Sequence, residues 1–322
     1  MQINWGIIGC GDVTEVKSGP AFNKVPGSKL MAVMRRDGVK AADYAKRHNV
    51  PSWYDDADKL INDPLINAVY VATPPDSHEA YALAAINAGK HVYVEKPMAL
   101  DHAAAKKMST AAKDNNIKLA VAHYRREQPF FKKIKELIDA KLIGETRLVR
   151  LELYKPPLTK NQLDTNHHAW RVDPAIAGGG LFHDLAPHQL DLMYHFFGPV
   201  KKVNGIATNQ GGNYNADDLV TGSMLFENGV GFSGSWCFNA ATTTDNCEII
   251  GSEGSIYFSV FGGNTITVIA NGIKECFSFD SLQHVQQPMI EKVVQYFSGK
   301  ADNPCSGDEG AAVMKMMEGF IN

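Results

Sequence analysis

The segment Ile3-Asn4-Trp5-Gly6-Ile7-Ile8-Gly9-Cys10-Gly11-Asp12-Val13-Thr14 decides how the rest of the chain is read. An apolar, β-branched run stops abruptly at Gly9, glycine returns at position 11, and a helical pattern opens immediately afterwards. Gly9 permits a tight turn. Gly11 carries no side chain, so a pyrophosphate can approach backbone N–H groups at the start of a helix. The third glycine of this pattern is replaced by Thr14, which predicts a helix packed slightly less closely on its sheet. A plain strand-turn-helix can carry the same Gly-x-Gly, so the surrounding chain has to support the dinucleotide reading.

It does so by alternation. Short apolar runs at Ile3–Ile8, Leu30–Met34, Ala68–Thr73, His91–Glu95 and Leu119–His123 are separated by amphipathic segments such as Val39–His48 and Ser77–Ala88, the latter ending at Gly89. That rhythm predicts a parallel sheet with crossover helices. Beyond Pro129 the texture changes to a helical stretch reaching Ala140, the run Glu145–Tyr154, a long polar loop and a helix from about Leu185 to Phe196. Strand-like runs then dominate: Lys202–Thr208, Leu219–Phe226, Gly231–Cys237, Asn246–Ile250, Ser255–Val260, Thr265–Ile269 and Glu275–Phe279, with turn signals at Glu227-Asn228-Gly229 and Asn271-Gly272. Helices from about His284 and Asp308 close the chain. The fold class expected is α/β: an N-terminal Rossmann domain with a doubly wound parallel sheet over 1–124, then a C-terminal α+β domain with a large open, mostly antiparallel sheet over 125–322.

Bulk properties narrow the function. A formal net charge of −3 without a long Lys/Arg run gives no footprint for nucleic acid or an anionic membrane. The five cysteines, Cys10, Cys237, Cys247, Cys276 and Cys305, include no C-x-x-C pair, which argues against a disulfide framework or zinc knuckle and for a reducing cytoplasm. No run is long and apolar enough to span a bilayer.

Where an NAD-binding chain usually carries an acid for the ribose hydroxyls, at the end of the second strand, this chain reads Val33-Met34-Arg35-Arg36-Asp37. Arg35 offers bidentate hydrogen bonds to a 2′-phosphate and Arg36 a planar group to stack on adenine, which favours NADP. Asp37 keeps NAD open as the alternative. Two further strand ends, Thr73-Pro74-Pro75-Asp76-Ser77-His78 and Glu95-Lys96-Pro97, fall on the cofactor edge of such a sheet. Thr73 and Pro74 are expected beside the cofactor's ribose and Lys96 beside the nicotinamide, its ammonium on a substrate oxygen. In the second half, Trp170-Arg171 and Gly178-Gly179-Gly180 precede Asp184-Leu185-Ala186-Pro187-His188. The i, i+4 spacing puts Asp184 and His188 on one helix face, where a carboxylate can orient an imidazole acting as general base, and Asp191 lies a turn further on. A salt-bridged surface pair has the same spacing. A metal site from His183, Asp184, His188 and Asp191 is disfavoured, because helical geometry turns His183 away from the other face. His167 and His168 are read as cleft-lining residues, and Tyr124 as a hydroxyl able to reach substrate.

Together, Gly9-x-Gly11, Glu95-Lys96-Pro97, Trp170-Arg171 and Gly178-Gly179-Gly180 with Asp184-x-x-x-His188 resemble the Gfo/Idh/MocA family of glucose-fructose oxidoreductase and inositol dehydrogenase relatives, over essentially the whole chain. The resemblance implies NAD or NADP and a homodimer or homotetramer formed through the C-terminal sheet. It also implies a catalytic set of Lys96, Asp184 and His188; some relatives have tyrosine in place of His188. The cofactor set expected is Gly9, Cys10, Gly11, Asp12, Val13, Arg35, Arg36, Thr73, Pro74, His78, Glu95, Lys96, Trp170 and Arg171. Substrate contacts are expected from Lys96, Tyr124, His168, Trp170, Asp184 and His188, and no metal is expected. The activity implied is hydride transfer between NAD(P) and a hydroxyl or carbonyl carbon of a sugar, inositol, polyol or diol. The alternatives are a glycosidase or lyase that oxidises its substrate transiently, and a nucleotide-sensing regulator on the same fold.

Overall fold

The computed structural model describes residues 1–164 and 169–321, and the chain divides into two compact units. In the first, β1 (Ile3–Ile8), β2 (Ser28–Met34), β3 (Ser52–Tyr54), β4 (Ala68–Val71), β5 (His91–Val94) and β6 (Leu119–Val121) form a parallel sheet in the order β3-β2-β1-β4-β5-β6. The order reverses between β1 and β4, the crevice where an open α/β sheet binds its ligands at the carboxyl ends of the strands. Every residue of β4 and β6 is buried, as expected when crossover segments cover both faces, and this is why those strands read as continuous apolar runs. The edge strand β3 was not expected. Its three residues are partly exposed and show no apolar run.

The crossover helices sit close to the expected places, at Gly38–Arg47 and His78–Asn87. The Asp37 carboxylate caps the first by accepting from the Lys40 N–H. Gly89, at φ +75°, takes the left-handed conformation that ends the second.

The second unit holds an eight-stranded sheet: β7 (Thr146–Tyr154), β8 (Val200–Thr208), β9 (Leu219–Phe226), β10 (Gly231–Cys237), β11 (Thr244–Gly251), β12 (Gly254–Phe258), β13 (Thr265–Ala270) and β14 (Ile273–Ser278). The order is β14-β13-β12-β11-β7-β10-β9-β8, antiparallel throughout except between β7 and β10. Asn271 and Gly272, both at positive φ, make the β13–β14 turn. One face of the sheet is buried against helices. Trp236 of β10 lies at its centre, with ring centroids 5.1 Å from Phe182 and 5.2 Å from Phe320. Two strand glycines allow the last helix to come close: a Cβ on Gly205 would lie 2.2 Å from the Phe320 carbonyl oxygen, and one on Gly222 would lie 2.8 Å from its ring.

The units are Met1–Gln128 with Leu282–Ala311, and Pro129–Ser281 with the residues from Ala312 onward. The structure thus differs from a single cut at 124/125 in the placement of 282–311, which returns to the first unit. Its contacts there are specific. Lys118 Nζ donates to the Tyr296 and Phe297 carbonyls at 2.7 and 3.1 Å, Asn303 donates to the Leu119 carbonyl at 2.8 Å, and Phe297 packs on Trp5 with centroids 5.5 Å apart. Helical periodicity predicts that a helix buries one face, but does not say in which core. No helix among the described residues is long and apolar enough to cross a membrane.

Candidate functional site

The Gly9–Thr14 turn leaves β1 at the reversal point of the sheet. Gly9, at φ +93°, has no room for a side chain: its Cβ would lie 2.7 Å from Thr73 Cγ2 and 2.8 Å from the Thr73 nitrogen. Gly11 is different. Among the described residues, the one atom within 4 Å of a Cβ there is the Gly9 carbonyl oxygen at 3.9 Å, so their packing does not demand glycine. The space left open is what a pyrophosphate needs to approach the backbone, and the turn therefore fits a dinucleotide. Gly11 caps the short helix Asp12–Val16, whose first N–H groups point out of the helix start; Asp12 is exposed and Val13 half-buried. Thr14, in place of the third glycine, is fully buried and turns its hydroxyl back onto the Gly11 carbonyl at 2.8 Å. It thereby adds a fastening to the turn. Cys10 is buried and burial pushes its thiol up to about 11, so this residue offers its backbone and no reactive thiolate.

Arg35 leaves the end of β2 half-buried and donates through Nη1 to the Cys10 carbonyl at 3.3 Å, which lays its guanidinium across the glycine turn. Arg36 beside it is exposed. Asp37 is committed elsewhere. Its Oδ1 accepts from Lys40 N at 3.2 Å and its Oδ2 pairs with Lys40 Nζ at 3.3 Å.

The ends of β4 and β5 are tied together by His78. This imidazole is 1% exposed, with Nε2 2.7 Å from the Thr73 carbonyl oxygen and Nδ1 3.0 Å from that of Pro97. Burial lowers its pKa. His78, expected to touch cofactor, lies buried beneath the two loops, and the one N–H of its neutral ring donates to one of these two carbonyls. The Thr73 hydroxyl accepts from Ser77 Oγ at 2.8 Å, and Thr73 and Pro74 are half-buried.

Glu95 is also an internal support. It is 5% exposed, accepts from the Tyr70 hydroxyl and from Gln286 Nε2 (2.6 Å) on Oε1, and takes the Lys96 N–H on Oε2 at 3.1 Å. The carboxylate thus holds the backbone from which the half-buried Lys96 side chain departs, next to a cis Lys96–Pro97 peptide. Burial, with Glu95 alongside, pushes the Tyr70 hydroxyl well above its ordinary pKa, so it remains a donor to the carboxylate. Tyr70 and Gln286 are the partners that sequence reasoning missed. A tyrosine in a fully apolar strand and a glutamine near the far end of the chain give no sign that they meet.

Tyr124 opens a short turn at Tyr124–Glu127 and is 6% exposed, with the Arg125 guanidinium 5.6 Å from its ring centre.

In the second unit, Gly178-Gly179-Gly180 leads into the helix Gly180–Phe197. Gly178 and Gly180 have positive φ, and a Cβ on Gly179 would lie 2.1 Å from His183 Nδ1. His183 is accordingly buried under the glycine turn, and burial drives its pKa down to about 4. It is a packing residue. Asp184 is half-buried and pairs through Oδ2 with Arg171 Nε at 3.4 Å, while the Arg171 guanidinium lies 4.5 Å over the Trp170 ring. Arg171 thus engages the Asp184 carboxylate within its own unit, with Trp170 under its guanidinium. His188 is 6% exposed and Asp191 1% exposed. Pro187 stands inside the helix between Asp184 and His188 and leaves the His183 carbonyl without its usual helical N–H. Among the described residues no group of three His, Cys, Asp or Glu side chains is arranged to hold a metal ion. His167 and His168 lie outside the described residues.

Comparison with known proteins places these features in a family. Residues 3–123 match the model described as "Oxidoreductase family, NAD-binding Rossmann fold", and residues 131–257 match the GFO/IDH/MocA C-terminal domain. An oxidoreductase of Formosa agariphila is 50% identical over 319 residues, covering 99% of this chain and 98% of that protein. A 1,5-anhydro-D-fructose reductase of Ensifer adhaerens is 28% identical over 268 residues, 82% of this chain and 76% of that protein. Levoglucosan dehydrogenase in complex with NADH superposes with a TM-score of 0.88 at 23% identity, over 99% of this chain and 96% of that one, which establishes likeness of fold. With its NAD(P)-type glycine turn, its six-stranded parallel sheet and its eight-stranded partner sheet, this chain belongs to the Gfo/Idh/MocA family of NAD-binding oxidoreductases.

Proposed function

We propose that this oxidoreductase interconverts a secondary alcohol and a ketone on a sugar, cyclic polyol or diol, with NADP as its preferred cofactor. A nicotinamide, when bound, accepts or returns the hydride. The protein's own residues handle the oxygen and its proton. Lys96, on a backbone held by Glu95, hydrogen-bonds the substrate oxygen and stabilises negative charge that develops on it. His188 takes the hydroxyl proton as general base, and Asp184 orients and charge-stabilises the imidazole. Relatives named for a reductase of anhydrofructose and for dehydrogenases of dihydrobenzene-diol and levoglucosan support the substrate class. A homodimer or homotetramer built on the open face of the eight-stranded sheet completes the proposal.

The observation that carries this reading is the buried Glu95 support beneath Lys96. A surface lysine would not need a carboxylate, a tyrosine and a glutamine sequestered under its backbone. The test is a panel of sugars, inositols and diols read by absorbance of the reduced cofactor. Lys96→Ala and His188→Ala are each expected to lower kcat by at least about a hundredfold, with cofactor affinity within about threefold of wild type. Full turnover in either variant would remove the chemistry assigned here.

A further inference from the structure

We propose that Gln286 is a positioning residue for Lys96: its amide holds the Glu95 carboxylate that supports the Lys96 backbone, and its own N–H fastens this support to the helix of the glycine turn. The inference rests on the assignment of Lys96 to the substrate oxygen. Gln286 is 1% exposed and opens the helix Gln287–Phe297, in the stretch of chain that returns to the first unit. Its two donors go to two different parts of that unit. The side-chain Nε2 donates to Glu95 Oε1 at 2.6 Å, and the other oxygen of Glu95 takes the Lys96 N–H at 3.1 Å. The backbone N–H donates to the Lys17 carbonyl at 3.2 Å, at the far end of the helix that Gly11 caps.

Side chains close this connection into a ring. The Tyr70 hydroxyl gives its single proton to Glu95 Oε1 and lies 3.3 Å from Ser18 Oγ, which in turn lies 3.3 Å from the Val13 carbonyl of the same short helix. Glu95 is thus tied to the helix of the glycine turn from two sides, through Gln286 and through Tyr70 with Ser18. The segment around Gln286 is itself fastened there. An ammonium can only donate, so His284 accepts from Lys24 Nζ on Nε2 at 2.6 Å and donates through Nδ1 to the Val16 carbonyl at 2.7 Å. Gln128 Nε2 holds the Val285 carbonyl at 3.0 Å. An apolar side chain would serve packing alone. Gln286 Oε1 is instead buried with no hydrogen-bond partner among the described residues, an arrangement that destabilises the fold. What the amide supplies in return is one donor on Glu95. A carboxylate released on that side is free to shift, and the backbone from which the Lys96 side chain departs shifts with it.

The experiment measures kcat, its pH dependence and cofactor affinity with the panel substrate that the wild type turns over fastest. Gln286→Ala is expected to lower kcat about tenfold, the scale of a reacting group displaced by a fraction of an ångström, while NADPH binding, read by fluorescence titration, stays within about threefold of wild type. In a Lys96→Ala background the same change is expected to cost nothing further, because the two residues act in series. Gln286→Glu sets a second carboxylate against Glu95. Such a pair shares a proton more readily in acid, so the deficit relative to wild type is expected to shrink as pH falls from about 8 to about 6. The double variant Glu95→Gln/Gln286→Glu exchanges donor and acceptor and is expected to regain activity that each single variant loses. A wild-type kcat in Gln286→Ala, a further loss in the Lys96→Ala background, a Gln286→Glu deficit indifferent to pH, or an exchange without rescue overturns the inference. Should Gln286→Ala fail to fold, Gln286→Met, which fills the space without a donor, carries the same test. A fully active Lys96→Ala removes the lysine assignment and this support together, whereas a Lys96→Ala enzyme slowed as expected beside a wild-type kcat in Gln286→Ala removes the support alone.

Discussion

Arg35 is the side chain on which the proposed preference for NADP rests. Its Nη1 is anchored on the Cys10 carbonyl, which fixes the guanidinium over the glycine turn and leaves its other donors for a ligand. Asp37, the acidic candidate for the ribose hydroxyls, is held by Lys40 through both oxygens. Arg35→Ala is therefore expected to weaken NADPH binding by about tenfold to a hundredfold, the range of a charge-assisted hydrogen bond to phosphate, with NADH binding changed less than about threefold. Fluorescence titration of both reduced cofactors reads this directly, and an equal loss for the two would show that Arg35 only braces the turn. At this scale the sequence was uneven. The tight turn at Gly9 was legible because its positive φ follows from residue type and a strand end. His78 and Glu95 were placed in their loops, but their protein partners were not foreseen, since a motif shows that residues are near a site without showing what packs behind it.

At the scale of elements, periodicity placed most strands and helices within a few residues and failed where an element is short or where its partner lies far along the chain. β3 has three residues and no apolar run. The segment 282–311 reads as ordinary helix, yet it belongs to the first core. The start of the helix Gly307–Ile321 shows how that return is fastened. Ser306 and Glu309 make a capping box, with Ser306 N donating to Glu309 Oε2 at 2.7 Å and Glu309 N donating to Ser306 Oγ at 3.3 Å. The other oxygen of Glu309 pairs with Arg126, whose side chain is only 2% exposed. Burial raises the Glu309 pKa, but the Arg126 charge and the hydrogen bonds outweigh it, so the folded-state value lies below the ordinary one. A depressed carboxylate stabilises the fold above the unfolded pKa of about 4.3, and that stability is lost as pH falls through the lower, folded value. Glu309→Gln keeps a capping side chain and removes the charge, and is expected to cost about 2–3 kcal/mol near neutral pH. Glu309→Ala loses the cap too, for about 1 kcal/mol more. Thermal unfolding followed from pH 7 down to about pH 3 checks the sign: the gap between wild type and Glu309→Gln should close in acid. A constant gap would mean that the charge is not what Glu309 contributes.

For the molecule as a whole, what is left unpaired matters most. One face of the eight-stranded sheet is covered by helices. The other carries the Arg150–Glu248 pair, at 3.3 Å, in its middle strands, with Ile206 and Leu225 toward one end and Tyr257 and Ile269 toward the other, all four exposed. A groove of about 450 Å³ lined by Arg150, Glu152, Glu248 and Tyr257 runs along it. Edge-to-edge pairing is a poor alternative, because the edge strands carry Lys201 and Lys202 on β8 and Lys274 and Glu275 on β14, charges that discourage strand addition. The face itself spans roughly 30 Å by 20 Å from strand spacing and rise, about 600 Å² per partner and close to a standard interface. A twofold axis through the central strands would set the polar middle against itself and the apolar flanks against each other, as an isologous contact requires. Sedimentation velocity is therefore expected to give a dimer or tetramer at micromolar concentration, and the double variant Ile206→Glu/Leu225→Glu to give the monomer with an unchanged circular dichroism spectrum. Two like charges buried per protomer cannot be satisfied across such an axis, whereas on a free surface they would cost almost nothing. A monomeric wild type, or a variant that assembles as before, would put the contact elsewhere.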